Sequence, residues 1–141
     1  MIYITRREHF NAAHKLFNPS WTVEENTAIF GKCANPNWHG HNYVLYITVK
    51  GEINIEKGYV LDLKHLSTII QTYVTDKLDH KNLNLDVDFM KGIMASTENL
   101  AVVIWQQLES HIEQLGGTLH CIKLQETENN YVEYFGSTVL K

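Results

Sequence analysis

The sequence predicts an α+β fold in which two helices pack on one face of an antiparallel four-stranded sheet. The predicted order is strand, strand, helix, helix, strand, strand, and strands grouped at both ends of a chain favour an antiparallel sheet. The two helical segments repeat apolar residues at helical spacing, whereas the flanking segments alternate between apolar and polar residues. With 141 residues, of which 44% are hydrophobic, the chain is expected to form one domain covering residues 1–141.

Alternation and β-branched residues define the strands. Ile2 to Leu16 alternates loosely and predicts a long first strand, and His39 to Lys50 alternates cleanly and predicts a second. A short strand is expected at Tyr59 to Asp62. The last two strands are predicted at Leu119 to Glu126 and at Tyr131 to Phe135, separated by a turn-prone polar segment.

The two helices lie between these groups of strands. An apolar stripe predicts the first helix from about Leu63 to about Lys77. Ser96 or Thr97 is a suitable N-cap for the second helix, which should stop at Gly116. The polar loop between the first two strands has room for one short helical turn at Val23 to Ile29.

Composition excludes several classes of function. Twelve basic residues against sixteen acidic ones give a net charge of −4, so no global field attracts nucleic acid or an anionic membrane. We expect neither as a partner. The apolar stretches fall short of the roughly 18 residues of a membrane span, and no signal peptide is evident. Two cysteines cannot build a disulfide framework. These features predict a cytoplasmic domain.

Histidine is unusually frequent, with eight residues in the chain. His39 and His41 are separated by one residue in the second strand, so their side chains point the same way, about 6.6 Å apart. His14 lies on the first strand, the expected antiparallel neighbour. Three imidazoles with an open fourth position are typical of a catalytic zinc site. The alternative from the residues alone is a set of surface or capping histidines.

Four further residues have side chains suited to acid-base or binding chemistry. Cys33 follows Lys32 in the polar loop, and a thiol with a lowered pKa is a base or nucleophile; a fourth metal ligand and an inert thiol are the alternatives. Adjacent Asp79 and His80 suit a proton relay, although these two residues alone are better explained by a helix C-terminal cap with a solvated Asp. Glu126 ends an apolar strand, where it would bind a pair of ligand donors or simply be solvated.

A set of motifs spread over nearly the whole chain carries a family resemblance. In order, they are Phe10-Asn11-Ala12-Ala13-His14, Glu24-Glu25-Asn26, Phe30-Gly31-Lys32-Cys33, Asn35-Pro36-Asn37, His39-Gly40-His41-Asn42-Tyr43, Leu78-Asp79-His80-Lys81-Asn82-Leu83, Ser96-Thr97-Glu98-Asn99-Leu100-Ala101 and Glu126-Thr127-Glu128-Asn129-Asn130. Together they resemble the 6-pyruvoyl-tetrahydropterin synthase family, which shares its fold with the 6-carboxy-tetrahydropterin synthases of queuosine biosynthesis. The ordered set is far more specific than any single motif.

The resemblance implies a tunnelling-type fold and a metal centre. One zinc ion per subunit would be held by His14, His39 and His41. Cys33 would be the general base, with Asp79 and His80 as its proton-relay partners. Whether magnesium also takes part is left open.

The resemblance also implies a pterin pocket. Glu126 would anchor the pterin ring and assist proton transfer, and the start of the second helix, Ser96, Thr97 and Glu98, would line the pocket. The family assembles as a homohexamer, a dimer of trimers with pockets shared between subunits.

The implied reaction converts 7,8-dihydroneopterin triphosphate to 6-pyruvoyl-tetrahydropterin, eliminating triphosphate, in tetrahydrobiopterin biosynthesis. The five residues between Cys33 and His39 resemble this pyruvoyl branch of the family. The first alternative is the carboxy enzyme, which uses the same substrate but also releases acetaldehyde. The second is a non-catalytic zinc or pterin binding protein, disfavoured because metal binding alone would not need Cys33, Asp79, His80 and Glu126.

Overall fold

A computed structural model describes residues 1–137, in which a five-stranded sheet carries helices on one face. The strand order is β3-β1-β2-β4-β5. Neighbouring strands run antiparallel except β3, which pairs with β1 in parallel. The strands are β1 (Ile2–His14), β2 (His39–Gly51), β3 (Lys81–Asn82), β4 (Thr118–Thr127) and β5 (Asn130–Tyr134).

Four α-helical segments connect and cover the sheet. They are α1 (Val23–Phe30), α2 (Leu63–Ile70), α3 (Asp76–Leu78) and α4 (Thr97–Gln114). A π-helical turn, Gln71–Thr75, joins α2 to α3 without a break, and short 3₁₀ turns lie at Gly31–Ala34 and Asp88–Met90. No helix within residues 1–137 combines the length and hydropathy of a membrane-spanning segment.

The structure confirms the α+β class and corrects the predicted sheet. The sheet has five strands of mixed orientation, not four antiparallel ones. The added strand, β3, is attached to β1 by two backbone hydrogen bonds. His80 N donates to Asn11 O at 2.6 Å, and Leu83 N donates to Ala13 O at 2.8 Å. Two residues are too few to show a period, so the sequence pattern missed β3.

Two further local predictions need correction. The expected strand at Tyr59 to Asp62 is instead an irregular segment with a bend. Its last residue, Asp62, is the N-cap of α2 and accepts a hydrogen bond from Lys64 N at 2.8 Å. The expected single turn in the first loop is a complete helix of eight residues. Thr22 and Glu25 form a capping box at its start, which satisfies backbone donors that a short helix otherwise leaves exposed.

The core lies between the sheet and the helices. Phe10 and Ala12 of β1 and Tyr43 and Leu45 of β2 face the helices and are buried. The rings of Phe10 and Tyr43 stack with their centroids 4.8 Å apart. Residues between them in sequence, such as Asn11, point to the other face and are exposed. The alternation therefore distinguishes a helix-covered face from an open polar face.

A polar contact fastens α2 to β1. Ser67 Oγ donates to Glu8 Oε1 at 2.6 Å, and Arg6 Nε donates to the same oxygen at 2.9 Å. Burial raises the pKa of Glu8, but the hydrogen bonds from Ser67, Arg6 and Gln71 outweigh it, so the pKa lies below its ordinary value of 4.5. The charged form of Glu8 therefore stabilises the fold.

Glu8→Gln should lower the free energy of unfolding by about 1 kcal/mol at neutral pH, because the hydrogen bonds lose their charge assistance. A carboxylate with a lowered folded pKa stabilises above its unfolded pKa, and this contribution is lost as pH falls through the folded value. The deficit should therefore shrink below pH 4.5. Urea unfolding of the wild type and of Glu8→Gln, at neutral and at acidic pH, measures this difference in the free energy of unfolding. A substitution of an exposed carboxylate, Glu52→Gln, is the control. An equal deficit at both pH values would contradict the assignment.

Candidate active site

Four side chains converge at one end of the sheet. In the β1–β2 ladder His14 pairs with His39, and His41 lies two residues further along the same face of β2. On β4, Glu126 lies two residues beyond the buried Leu124 and so points to the same side. Because β1, β2 and β4 are adjacent, all four side chains occupy one layer beneath the helices.

The four side chains are close enough to share one metal ion. One potential ligand atom from each of the three histidines and Glu126 lies within 4.8 Å of all the others. Glu126 Oε1 is 3.0 Å from His41 Nε2 and 3.3 Å from His14 Nε2. The sequence predicted the three histidines as ligands, and the structure adds a carboxylate to the group.

The chemistry of these donors fits a divalent metal. His14 Nε2, His39 Nδ1 and His41 Nε2 are buried and have no hydrogen-bond partner. Burial lowers the pKa of His39 and of His41, which favours the neutral imidazole that carries a lone pair. The short contacts with Glu126 would be ion pairs only with protonated rings. Neutral imidazoles and a carboxylate are instead the ligands of zinc and related ions.

A second layer of contacts orients His14. Its Nδ1 lies 2.6 Å from Ala95 O, so Nδ1 carries the proton and Nε2 presents its lone pair to the cluster. The hydroxyl of Tyr43 lies 3.4 Å from the same Nδ1. Burial raises the pKa of Tyr43, so the phenol stays neutral. Strand alternation places Tyr43 beside His41, whereas no sequence signal pointed to Ala95.

A cavity of about 430 Å³ adjoins the cluster. It is lined by Thr97, Glu98, Glu126, Asn129, Asn130, Tyr131 and Val132. Thr97, Glu98 and Glu126 were predicted to bind the pterin, and the structure brings these three together. Ser96 is not among the lining residues; its hydroxyl caps α4 by accepting a hydrogen bond from Asn99 N at 3.2 Å.

Cys33 lies outside the group of potential metal ligands among the described residues. It is half-buried in the 3₁₀ turn Gly31–Ala34. Leu16 N donates to Cys33 O at 2.8 Å, which ties this turn to the chain two residues after His14. The turn therefore holds Cys33 close to the end of the strand that carries His14.

Asp79 and His80 contact each other but are separate from the cavity. Asp79 Oδ2 lies 2.9 Å from His80 Nδ1, and Asn11 N donates to Asp79 Oδ1 at 2.8 Å. The hydrogen bonds from Asn11 and His80 lower the pKa of Asp79. The His80 side chain is 81% exposed and lines a different, shallow groove that includes Gly40 and Lys81. Within one chain, the Asp79–His80 pair is therefore separate from the cavity that Glu126 lines.

Comparison with known proteins agrees with this geometry. The family model described as 6-pyruvoyl tetrahydropterin synthase matches residues 3–137. The 6-pyruvoyl tetrahydrobiopterin synthase of Dictyostelium discoideum is 44% identical over 135 residues, covering 96% of both chains. The human synthase is 42% identical, covering 94% of this chain and 90% of its own.

A solved structure extends the similarity to three dimensions. The Caenorhabditis elegans 6-pyruvoyl tetrahydropterin synthase has a TM-score of 0.90 at 36% identity, covering 96% of each chain. By contrast, the 6-carboxy-5,6,7,8-tetrahydropterin synthase of Haemophilus influenzae is 28% identical over 74% of this chain. Similarity at this level along nearly the entire sequence shows that the chain is a lyase-type enzyme and belongs to the 6-pyruvoyl tetrahydropterin synthase family.

Proposed function

We propose that this enzyme converts 7,8-dihydroneopterin triphosphate to 6-pyruvoyl-tetrahydropterin by eliminating triphosphate, with zinc as its metal. The observation that carries the proposal is that the cluster of three histidines shares Glu126 with the adjoining cavity. The names and identities of the relatives support the choice of product.

The three histidines would hold the zinc ion through their unpartnered ring nitrogens. When bound, zinc would supply Lewis acidity, which makes hydroxyl protons and neighbouring C–H protons of the substrate side chain easier to remove. The hydrogen bond from His14 Nδ1 to Ala95 O would keep that ring in the ligating tautomer. The His14 ring would thus already be in the tautomer that binds a metal.

The proton transfers are assigned to residues around the cluster. Cys33 would accept a proton from the substrate, because its thiol is outside the metal-ligand group and lies in a turn next to the end of β1. Asp79 would orient the His80 ring through the contact at 2.9 Å, leaving the other ring nitrogen free to exchange a proton. The Glu126 carboxylate would bind the guanidine-like edge of the pterin ring by charge-assisted hydrogen bonds.

An oligomer would bring His80 to the cavity. His80 lies in a different groove from Glu126 within one chain, so a shared proton relay requires a neighbouring subunit. We propose the homohexamer implied by the family resemblance, a dimer of trimers whose active sites combine residues of different subunits. Lys15, Lys32 and Lys81 are candidates for receiving the triphosphate because of their positions beside the predicted site residues.

Product identification tests the proposed reaction against the carboxy alternative. Incubating the zinc-loaded protein with 7,8-dihydroneopterin triphosphate should release triphosphate and form 6-pyruvoyl-tetrahydropterin, without acetaldehyde. Mass spectrometry identifies the pterin, and an aldehyde assay detects the two-carbon product. Acetaldehyde in stoichiometric yield would instead establish the carboxy enzyme, and binding without any product would favour the non-catalytic alternative.

Cys33→Ala should reduce turnover by at least about a hundredfold while zinc content and substrate binding persist, because the variant removes a base and no metal ligand. Steady-state kinetics, metal analysis and a binding titration measure the three properties. Cys121→Ala removes the other thiol and should retain turnover. Loss of zinc from the Cys33 variant would show that the thiol is a ligand, and near wild-type turnover would exclude it as the base.

Mixed oligomers test whether the site is shared between subunits. Cys33→Ala and His80→Ala should each be inactive alone, but co-expression should restore activity at about a quarter of the sites if subunits pair at random. Co-purification through two different affinity tags followed by kinetics measures this recovery. If Cys33 and His80 acted within one chain, no mixed oligomer would regain activity.

A further inference from the structure

Two asparagines face each other on the open face of the sheet, opposite to the helices. Asn11 and Asn42 are direct partners in the β1–β2 ladder, and both are exposed. Asn11 Nδ2 donates a hydrogen bond to Asn42 Oδ1 at 2.5 Å. This side-chain hydrogen bond lies outside the core and outside the cavity that Glu126 lines. Its role must therefore be sought on the open face.

The backbone of Asn11 is directed away from Asn42. Asn11 N donates to Asp79 Oδ1 at 2.8 Å, and Asn11 O accepts from His80 N at 2.6 Å. Successive residues of an antiparallel strand direct their backbone groups alternately to one side and to the other. Because Asn11 uses its backbone groups on the β3 side, its hydrogen bond to β2 is made by the side chain instead.

The two backbone hydrogen bonds of Asn11 hold a strained pair of residues. His80 has a φ of 60°, a left-handed conformation that is rare in residues other than glycine. Such a backbone persists only where the surrounding contacts hold it. The hydrogen bond from Asn11 is also the main cause of the lowered pKa of Asp79, so the carboxylate beside the His80 ring stays ionised. Asn11 thus fixes both the backbone of His80 and the carboxylate that orients its ring.

A second side-chain hydrogen bond of the same kind provides an internal comparison. Thr5 and Thr48 are also direct partners in the β1–β2 ladder, and their hydroxyl oxygens are 2.8 Å apart. Thr5 precedes Asn11 by about 20 Å along the strand. Neither threonine lines the groove that contains His80. The two pairs therefore differ in their relation to the Asp79–His80 pair rather than in the kind of contact.

We propose that Asn42 is a positioning residue for the Asp79–His80 pair and acts through its side-chain hydrogen bond with Asn11. This role rests on the proposed function, in which His80 exchanges a proton with the substrate. Asn42 holds Asn11 against β2, and the backbone of Asn11 in turn holds Asp79 and His80. Because the His80 side chain is 81% exposed, its orientation depends on these hydrogen bonds rather than on packing.

Kinetics of matched variants test the positioning role. Asn42→Ala and Thr48→Ala each remove one side-chain hydrogen bond from the open face, so urea unfolding should show similar losses of stability. With zinc-loaded protein and 7,8-dihydroneopterin triphosphate, kcat should fall at least about fivefold in Asn42→Ala and stay at the wild-type value in Thr48→Ala. KM and zinc content should not change in either variant. Wild-type kcat in Asn42→Ala, or the same decrease in both variants, would overturn the proposal.

A conservative variant tests whether the hydrogen bond is what Asn42 supplies. Asn42→Asp keeps an oxygen that accepts from Asn11 Nδ2, so most of the kcat lost in Asn42→Ala should return. A kcat in Asn42→Asp as low as that in Asn42→Ala would contradict the role of this hydrogen bond and overturn the proposal.

Hydrogen exchange tests the same hydrogen bonds without the reaction. Mass spectrometry of a peptide spanning residues 79–83 follows the amides of His80 and Leu83, which donate to β1. This peptide should exchange at least about fivefold faster in Asn42→Ala than in the wild type. Thr48→Ala should match the wild type. Unchanged exchange in Asn42→Ala would show that Asn42 does not hold the pair, and the proposal would fail.

His80→Ala separates a failure of this proposal from a failure of the proposed relay. If exchange is faster in Asn42→Ala but kcat is unchanged, while His80→Ala is inactive, the relay stands and the positioning role is wrong. If His80→Ala keeps the wild-type kcat, the relay itself is wrong, and the positioning role fails with it.

Discussion

The pleat of three adjacent strands is the constraint on which the rest of this structure depends. Strand side chains alternate between two faces, so His14, His39, His41 and Glu126 reach the same layer only because β1, β2 and β4 are in one particular register. A slip of one residue in any of these strands would move the side chains that it places in the cluster to the open face of the sheet. The same register buries Phe10 and Tyr43. Core packing therefore holds the metal-ligand group in place.

The cluster is an extension of the core rather than a surface feature. His14 is buried, and its ring lies 6.1 Å from that of Tyr43, which in turn stacks on Phe10. Burying unpartnered imidazole nitrogens costs free energy, since each loses its hydrogen bonds to water. The apolar contacts around these nitrogens offset that cost. A bound metal would give the nitrogens a partner, and the free energy recovered would contribute to metal affinity.

The remaining site residues lie on turns and strand ends. Cys33 is in a 3₁₀ turn, His80 has a left-handed backbone with a φ of 60°, and Glu126 lies at a strand irregularity. These positions are less regular than the strands that carry the histidines. The fold thus places the three histidines on regular strands and the proposed acid-base groups on segments that tolerate unusual backbone geometry.

The amino-acid sequence by itself determined the fold class, the long strands, the last helix and the convergence of His14, His39 and His41. Periodicity carries this information, because apolar alternation and helical stripes are local properties of the chain. The roles predicted for Cys33, Asp79 and His80 come from motifs, because spacing alone leaves them open.

Only the tertiary structure decided the rest. The strand Lys81–Asn82 exists because two backbone donors find carbonyls on β1, a long-range contact that leaves no local pattern. Ala95 O meets His14 across more than eighty positions of sequence. The contact of Glu126 with two imidazoles, and the separation of His80 from the cavity, likewise depend on which strands are neighbours. Sequence patterns record the face on which a side chain lies, whereas the contacts it makes depend on how distant segments pack together.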